Sequence, residues 1–175
     1  MKQIGLTQLF WSKVNPNAII PSKRDEDAGY DLYACFTEDF LIIKPGEIKI
    51  IPTGIATAFS EDYVMIVKER GSTGSKGMAV RMGIIDSGYR NEILVGINNT
   101  SNKPIIIIRK NSLDRLDYLM PAHIISDYTI YPYEKAIAQA VLCVIPHLIP
   151  EEIPYNELMK LTSERMLGNL GDSNK

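Results

Sequence analysis

The stretch GIIDSGYRNEILVGINN, residues 83–99, decides the fold class of this chain. Two isoleucines end a short apolar run, the turn residues 86–89 follow, and the run EILVGIN (92–98) takes the chain onward. Short apolar runs broken by Asp-Ser-Gly turns are typical of β-strands rather than helices. We therefore interpret this stretch as a β-hairpin that presents one carboxylate, Asp86, at its rim.

Similar apolar runs follow one another along most of the chain. They lie at 32–36, 40–44, 47–59, 63–69, 77–85, 92–98, 103–110, 127–133 and 137–146. Turn material rich in Gly, Pro, Asn and Ser separates them at short spacing, which predicts an all-β domain built as an antiparallel sandwich, jelly roll or distorted barrel. One short helix is predicted after Pro154, with an apolar stripe formed by Ile153, Leu158, Met159 and Leu161.

Bulk composition limits the classes of protein that this chain can belong to. Its 175 residues predict a single domain over 1–175 with a proper core, and a net charge of −2 predicts no nucleic-acid partner. We expect a cytoplasmic protein without a membrane segment, because no apolar run reaches the length of a span or a signal peptide. Cys35 and Cys143 are expected to be reduced thiols.

Three segments carry polar residues that a β fold does not need. Asp31 stands inside a predicted strand, where a solvent-facing carboxylate is the simpler interpretation. The segment KERGSTGSKGMAV (68–80) combines glycines and hydroxyls with Arg70 and Lys76, as a phosphate cradle does, although a surface hairpin has the same composition. Asp86 is either a turn-forming residue or a base that takes a proton from water.

The order of these segments resembles the five motifs of the trimeric dUTPases. The matching segments are DAGYDLYA, ERGSTGSK, GIIDSGYRNEI, KAIAQAVL and a glycine-rich tail, together spanning residues 25–174. The resemblance implies a jelly-roll homotrimer whose C-terminal arm, residues 162–175, reaches over a neighbour's site. It also implies hydrolysis of dUTP to dUMP and pyrophosphate, with Mg²⁺ as cofactor.

The same resemblance assigns roles to individual residues. Asp86 would activate the attacking water, and Tyr89 would pack on the deoxyribose. The implied uracil-lining positions are Gly83, Ile84, Ile85 and Leu94. The implied phosphate-binding positions are Arg70, Gly71, Ser72 and Lys76 in the core, with Arg165 and Ser173 in the arm. Asp31 and Gln139 would hold the Mg²⁺ of the triphosphate through water.

The chain departs from the family pattern at several places. The second motif has Gly71 before Ser72 rather than after a serine, and Ala136 stands where the family often has a basic residue. In the arm, Leu170 replaces the phenylalanine that stacks on uracil, and Asp172 adds a negative charge, so we expect a weaker KM. Residues 101–134 contain an insertion whose segment 111–128 is either a plain surface loop or a contact for a protein partner.

Two other functions compete with this interpretation. A dCTP deaminase shares the implied fold, but its working positions correspond here to Gly71, Lys76 and Gly96, and a glycine cannot move protons. A regulatory protein that senses nucleotide on the same scaffold is the second alternative, for which the altered arm is the best argument.

Overall fold

The computed structural model of the protein describes residues 4–113 and 127–163. Its contacts divide the chain into two compact units, 1–145 and 146–175, and each is described by itself. The described part of the first unit contains the strands β1 (Leu9–Lys13), β2 (Gly29–Leu32), β3 (Phe40–Ile43), β4 (Ile48–Pro52), β5 (Ile55–Phe59), β6 (Tyr63–Lys68), β7 (Met78–Arg81), β8 (Ile84–Ile85), β9 (Leu94–Asn99), β10 (Ile105–Ile108), β11 (Thr129–Pro132) and β12 (Ala138–Val144). A one-turn helix α1 (Gly71–Gly74) follows β6, and a 3₁₀ turn (Lys110–Ser112) follows β10.

The strands form four small sheets. Their orders are β1-β5, β11-β10-β3, β2-β12-β6-β8 and β4-β9-β7. The all-β prediction is confirmed, since helix is confined to single turns among the described residues. Most neighbours are antiparallel, as the short turns between apolar runs predict.

One pair departs from the antiparallel expectation. β10 and β11 run parallel, with Ile105 opposite Thr129 and Ile107 opposite Tyr131. Parallel neighbours need a connection that crosses back along the whole strand, so residues 109–128 cannot be replaced by a tight turn. The predicted insertion segment 111–128 falls on this connection, and its residues 114–126 lie outside the described part of the chain.

The core lies between the sheets and is mainly aliphatic. The strand β10 is buried on both faces: Ile105 and Ile107 join the main cluster with Ile43 and Ile97, whereas Ile106 and Ile108 form a second cluster. Successive strand residues point to opposite faces, so a four-isoleucine run suits a strand covered on both sides. Burying each such side chain contributes about 1.5–3 kcal/mol relative to leaving it in water.

Several strand predictions are wrong in their bounds. Of the strand predicted at 32–36, only Leu32 lies in an observed strand, β2, and the buried residues after it follow an irregular path. The run at 77–85 is broken at Met82, whose φ of 60° cannot continue a strand. β1 was not predicted at all, because its exposed and half-buried positions give a weak apolar signal.

The predicted hairpin at 83–99 is also corrected by the structure. β8 pairs with β6 in one sheet, whereas β9 pairs with β4 and β7 in another. The turn at Asp86 therefore joins two sheets instead of two strands of one ribbon. The sequence pattern is the same for a hairpin and for this arrangement, because β8 and β9 each bury one face in both cases.

The described part of the second unit contains the one-turn helix α2 (Tyr155–Leu158), which starts directly after Pro154 as predicted. The predicted apolar stripe is wrong, because α2 buries no residue and both Leu158 and Leu161 are exposed. No helix within 4–113 or 127–163 is both long and apolar enough to cross a membrane.

Candidate active site

Asp86 stands where the chain leaves β8 and crosses to the neighbouring sheet. β8 is held by pairing of Ile85 with Met65, and the Tyr89 N–H closes the turn on the Asp86 carbonyl oxygen at 3.0 Å. The Tyr89 hydroxyl donates to the Glu92 carbonyl oxygen at 2.9 Å. The turn thus fixes the Asp86 backbone and the Tyr89 ring relative to each other.

Gly83 anchors the start of this segment through a close backbone approach. Its carbonyl oxygen accepts a hydrogen bond from the Val67 N–H at 2.7 Å, and a Cβ at position 83 would lie 2.6 Å from the Val67 carbonyl oxygen. Only glycine fits this distance, since real Cβ atoms essentially never come so near another heavy atom. The local path of the chain therefore requires Gly83.

A pocket of about 340 Å³ opens beside this turn, and we call it the Asp86 pocket. Its lining residues are Met82, Gly83, Ile84, Ile85, Asp86, Tyr89 and Leu94. Asp86 supplies the one charged group of this lining, against walls of aliphatic and aromatic carbon. A flat ring can lie against such walls while exposed backbone groups read its polar edge.

A second cleft, of about 620 Å³, lies over the ends of other strands, and we call it the Arg70 cleft. Its lining residues are Asp31, Tyr33, Arg70, Ser72, Lys76, Ile130, Tyr131, Pro132, Glu134, Lys135 and Ala136. Three cations and two carboxylates are among them, so the lining carries a net positive charge that favours an anionic ligand.

Two of the three cations of this cleft, Arg70 and Lys76, flank α1. Arg70 precedes the helix, and its N–H donates to the Thr73 hydroxyl at 2.9 Å, while the Thr73 N–H donates to the Arg70 carbonyl oxygen at 3.0 Å. Thr73 is fully buried, which fixes the turn to the body of the domain. Lys76 closes the other end by donating to the Ser72 carbonyl oxygen at 3.2 Å. The segment is thus a helical turn and not the surface hairpin considered from the sequence.

Asp31 and Gln139 lie opposite each other on paired strands β2 and β12. Asp31 Oδ1 forms an ion pair with Arg70, 2.8 Å from its Nε, and the Gln139 side-chain amide donates to the Glu69 carbonyl oxygen at 3.0 Å. The Gln139 amide oxygen lies over Gly29, where a Cβ would come within 2.7 Å of it. Both side chains therefore present oxygen atoms on neighbouring strands.

This donor set fits a magnesium ion that arrives bound to substrate. Within the described residues, no group of three or more His, Cys, Asp or Glu side chains could hold a metal by itself. Mg²⁺ usually binds through one or two carboxylates, retained waters and phosphate oxygens. The Asp31 carboxylate can supply such a contact beside its ion pair with Arg70, and Gln139 can accept from a metal-bound water.

The structure collects the predicted site residues into two groups. Of the predicted positions, Gly83, Ile84, Ile85, Asp86, Tyr89 and Leu94 line the Asp86 pocket, and Asp31, Arg70, Ser72 and Lys76 line the Arg70 cleft. Gly71 lies in α1 beside the cleft, and Gln139 lies opposite Asp31. Arg165, Ser173, Leu170 and Asp172 lie outside the described residues.

The two cavities share no lining residue within one chain. Sequence reasoning missed Met82 in the first and Tyr33, Tyr131 and Glu134 in the second. Tyr131 and Glu134 have no local sequence signal, because β11 and its pairing with β10 bring them to the cleft. A further cleft of about 630 Å³ beside Ser87 and Arg90 contains no predicted site residue.

Comparison with known proteins shows to which protein family this chain belongs. The dUTPase family model matches residues 15–116. The "Deoxyuridine 5'-triphosphate nucleotidohydrolase" of Nautilia profundicola is 34% identical over 167 residues, which is 93% of this chain and 96% of that protein. The protein of the same name from Leptospira interrogans is 30% identical over 104 residues, covering 57% of this chain and 71% of its own length. The chain belongs to the dUTPase family.

Solved structures show the same fold. The dUTPase of Staphylococcus bacteriophage 80alpha, determined with dUpNHpp, matches with a TM-score of 0.70 and 21% identity, covering 97% of this chain and 99% of the phage chain. A mutant dUTPase of the S. aureus phage phi11, described with a structural Mg(II) ion, matches with a TM-score of 0.63 and 22% identity, covering 83% of this chain and 96% of that one. The jelly-roll prediction is thereby confirmed.

Proposed function

We propose that this protein hydrolyses dUTP to dUMP and pyrophosphate, with Asp86 as the general base. The observation that carries the proposal is the Asp86 pocket, where one carboxylate stands among apolar walls beside an aromatic ring fixed by its own hydroxyl. The nucleotidohydrolase names of relatives at 30% and 34% identity support the same substrate.

The proposed reaction is an in-line displacement at the α-phosphorus. Asp86 accepts a proton from a water molecule while the water oxygen forms a bond to phosphorus. The bond from that phosphorus to the oxygen bridging to the β-phosphate breaks, and pyrophosphate leaves with the bonding electrons. Asp86 then returns its proton to solvent. An exposed carboxylate in the lining of the pocket suits this role, because a general base must reach the proton that it removes.

The Asp86 pocket would select the base and the sugar. Backbone groups of 83–85 read the uracil edge, and a cytosine amino group would face a donor there and leave buried groups unpaired. The Tyr89 ring packs on the deoxyribose and leaves no room for a 2′-hydroxyl. Its position is held by the hydrogen bond to the Glu92 carbonyl oxygen.

The Arg70 cleft would hold the triphosphate. Arg70, Lys76 and the Ser72 hydroxyl bind and neutralise phosphate oxygens, with the Gly71 backbone free of a side chain in their way. Bound Mg²⁺ would neutralise further charge on the triphosphate and its leaving group. Asp31 and Gln139 would hold it, through water.

We further propose that the active protein is a homotrimer in which each site combines two chains. In support, the Asp86 pocket and the Arg70 cleft share no lining residue within one chain; a triphosphate nucleotide would join the pocket of one chain to the cleft of its neighbour. The arm 162–175, with Arg165 and Ser173, would close over the phosphates.

A complementation experiment tests the shared site. Asp86→Asn and Arg70→Ala are each prepared as inactive proteins, then mixed, unfolded and refolded together. If sites combine two chains, mixed trimers contain some intact sites and regain a fraction of wild-type activity. Each variant refolded alone is the control. Activity that stays at the level of the single variants would place both residues of a site in one chain.

The reaction itself is tested with a substrate panel. Purified protein with Mg²⁺ is incubated with dUTP, UTP, dCTP, dTTP and dATP, and both pyrophosphate and ammonia are measured. We expect pyrophosphate from dUTP alone. Ammonia from dCTP would support the deaminase alternative, which the structure disfavours because Gly96 is buried between β4 and β7 and has no side chain.

Three other predictions stay open. Binding of a protein partner through 111–128 concerns residues that are mostly outside the described part of the chain. A purely regulatory, nucleotide-sensing role predicts binding of dUTP without pyrophosphate release, which the same panel detects. A cytoplasmic location also stays a prediction.

A further inference from the structure

Glu92 is a half-buried acid to which the proposed reaction gives no role. It lies between the Asp86 turn and β9, and it belongs to the lining of neither the Asp86 pocket nor the Arg70 cleft. Its carboxylate oxygen Oε1 accepts from the Gly54 N–H at 2.5 Å, and its carbonyl oxygen accepts from the Tyr89 hydroxyl at 2.9 Å. This one residue therefore connects the corner between β4 and β5 to the aromatic ring of the Asp86 pocket.

The corner end of this connection is rigid. Gly54 has a φ of 67°, and a Cβ there would lie 2.7 Å from the Ala18 Cβ and 2.9 Å from the Cys35 sulfur. Ala18 and Cys35 belong to a buried cluster with Ile55, and the Gly54 carbonyl oxygen accepts from the Val14 N–H at 2.7 Å. A hydrogen bond from an N–H to an ionised carboxylate is among the stronger ones in proteins. The carboxylate is thus held by a donor that cannot easily move.

The chain just after Glu92 is attached to the same corner. The Thr53 hydroxyl donates to the Ile93 carbonyl oxygen at 2.7 Å, and the Ile93 N–H donates to the Ile55 carbonyl oxygen at 2.8 Å. Ile93 is fully buried, whereas residues 89–91 are exposed. The carboxylate bond of Glu92 therefore extends the attachment by one residue toward Tyr89.

The Tyr89 ring needs such an attachment. Tyr89 is 37% exposed, so packing against the domain restrains only part of its side chain. A tyrosine ring turns about two side-chain bonds, and a hydrogen bond at its hydroxyl restrains both. The Glu92 carbonyl oxygen that accepts this bond holds the ring still only if it is itself held. The bond between the carboxylate and the Gly54 N–H supplies that restraint.

We propose that Glu92 is a positioning residue for sugar selection, whose carboxylate, held by the Gly54 N–H, fixes the carbonyl oxygen that holds the Tyr89 ring against the 2′ position of the sugar. This inference rests on the proposed function of the Asp86 pocket. Steric exclusion of a 2′-hydroxyl requires a wall that does not yield, because a ring free to tilt would make room for it. Glu92 acts through Tyr89 and does not touch the substrate.

The first test compares Glu92→Ala with Glu92→Gln and with a matched control, Glu47→Ala. Alanine removes the acceptor, whereas the glutamine amide oxygen can still accept from the Gly54 N–H. Glu47 is half-buried like Glu92, its carboxylate accepts from the Lys44 N–H at 2.8 Å, and it lies outside both cavities. The quantity measured is the inhibition constant of UTP against dUTP hydrolysis, divided by KM for dUTP.

We expect this ratio to fall roughly tenfold in Glu92→Ala, because a looser ring admits the ribose of UTP. Glu92→Gln should stay within about threefold of wild type, and Glu47→Ala should match wild type. Loss of folded protein lowers the rate but changes neither constant, so the ratio separates positioning from stability. An unchanged ratio in Glu92→Ala would overturn the proposal, and so would an equal fall in Glu92→Gln.

Two further variants keep the proposal testable if Glu92→Ala does not fold. Glu92→Asp keeps the charge but withdraws the carboxylate from Gly54 by one methylene, and it should lower the ratio in the same direction. Tyr89→Phe keeps the ring and breaks the bond at its hydroxyl. In that background Glu92→Asp should cause no further fall, because the two bonds act in series. Falls that multiply, or an unchanged ratio in Glu92→Asp, would refute positioning through Tyr89.

The wild-type protein separates failure of this inference from failure of the proposed function. If wild type releases pyrophosphate from dUTP and the ratio does not respond to Glu92, the proposed function stands and only this inference fails. If wild type releases no pyrophosphate from dUTP, both fail.

Discussion

Replacing Gly83 by alanine should distort the Asp86 pocket and can be compared with a matched change five residues away. The added Cβ would lie 2.6 Å from the Val67 carbonyl oxygen, about 0.8 Å inside the 3.4 Å at which ordinary contact begins. Backbone forms both sides of this contact, so no side chain can rotate away. β8 must shift, and the hydrogen bond from the Val67 N–H to the Gly83 carbonyl oxygen must lengthen from 2.7 Å.

The expected free-energy loss combines overpacking of about 1–3 kcal/mol with the weakening of one hydrogen bond worth about 1 kcal/mol. We therefore expect Gly83→Ala to lower the free energy of unfolding by about 2–4 kcal/mol. For a chain of this length that corresponds to a Tm lower by roughly 5–10 °C. KM for dUTP should rise at the same time, because the shifted backbone lines the pocket.

Gly88→Ala is the control for this experiment. Position 88 belongs to the same turn region, but a Cβ there would meet no atom within 4 Å. We expect Tm and KM to stay near wild-type values. Thermal unfolding at equal protein concentration and dUTP kinetics measure both variants. If Gly83→Ala matched Gly88→Ala in Tm and KM, the close approach at Val67 would not be holding the pocket.

Three further predictions follow from other contacts. Thr53→Val removes a buried hydroxyl that donates to the Ile93 carbonyl oxygen at 2.7 Å, and should lower the free energy of unfolding by about 1–3 kcal/mol in urea titrations; no change in the midpoint would contradict this. Gly29→Ala places a Cβ 2.7 Å from the Gln139 amide oxygen and should raise the Mg²⁺ concentration for half-maximal activity roughly tenfold, whereas an unchanged Mg²⁺ titration would argue against a role for Gln139. Hydrogen bonds from backbone N–H groups, first that of Glu69 itself, lower the pKa of the Glu69 carboxyl from 4.5. Wild-type protein should therefore be more stable than Glu69→Gln above about pH 5, and this difference in stability should vanish as the pH falls through the native pKa. A stability difference that persisted at about pH 2 would contradict this origin.

The sequence was most informative where chemistry and chain path are local. Asp86 and Tyr89 lie three residues apart across one turn, so their proximity follows from the turn residues alone. The lining positions 83–85 follow for the same reason. Short apolar runs also predicted most strands, because a strand that buries one face tends to alternate apolar and polar residues along the sequence.

Longer-range features could not be predicted in this way. Nothing near Tyr131 indicates that β11 runs parallel to β10, which is what places this residue under the Arg70 cleft. The sequence predicted that β8 and β9 pair with each other, whereas β8 pairs with β6, and β9 pairs with β4 and β7. A local pattern shows that strands exist but not which strands pair. The break at Met82 depends on a positive φ that a methionine gives no reason to expect.

The most direct test of the central claim is turnover of dUTP by Asp86→Asn. Asparagine keeps the shape of the side chain but cannot take a proton from water, so kcat should fall by at least a hundredfold while dUpNHpp still binds with near wild-type affinity. Asp25→Asn, at an exposed aspartate outside both cavities, is the control and should be fully active. Turnover by Asp86→Asn at the wild-type rate would contradict the account and remove Asp86 from the reaction.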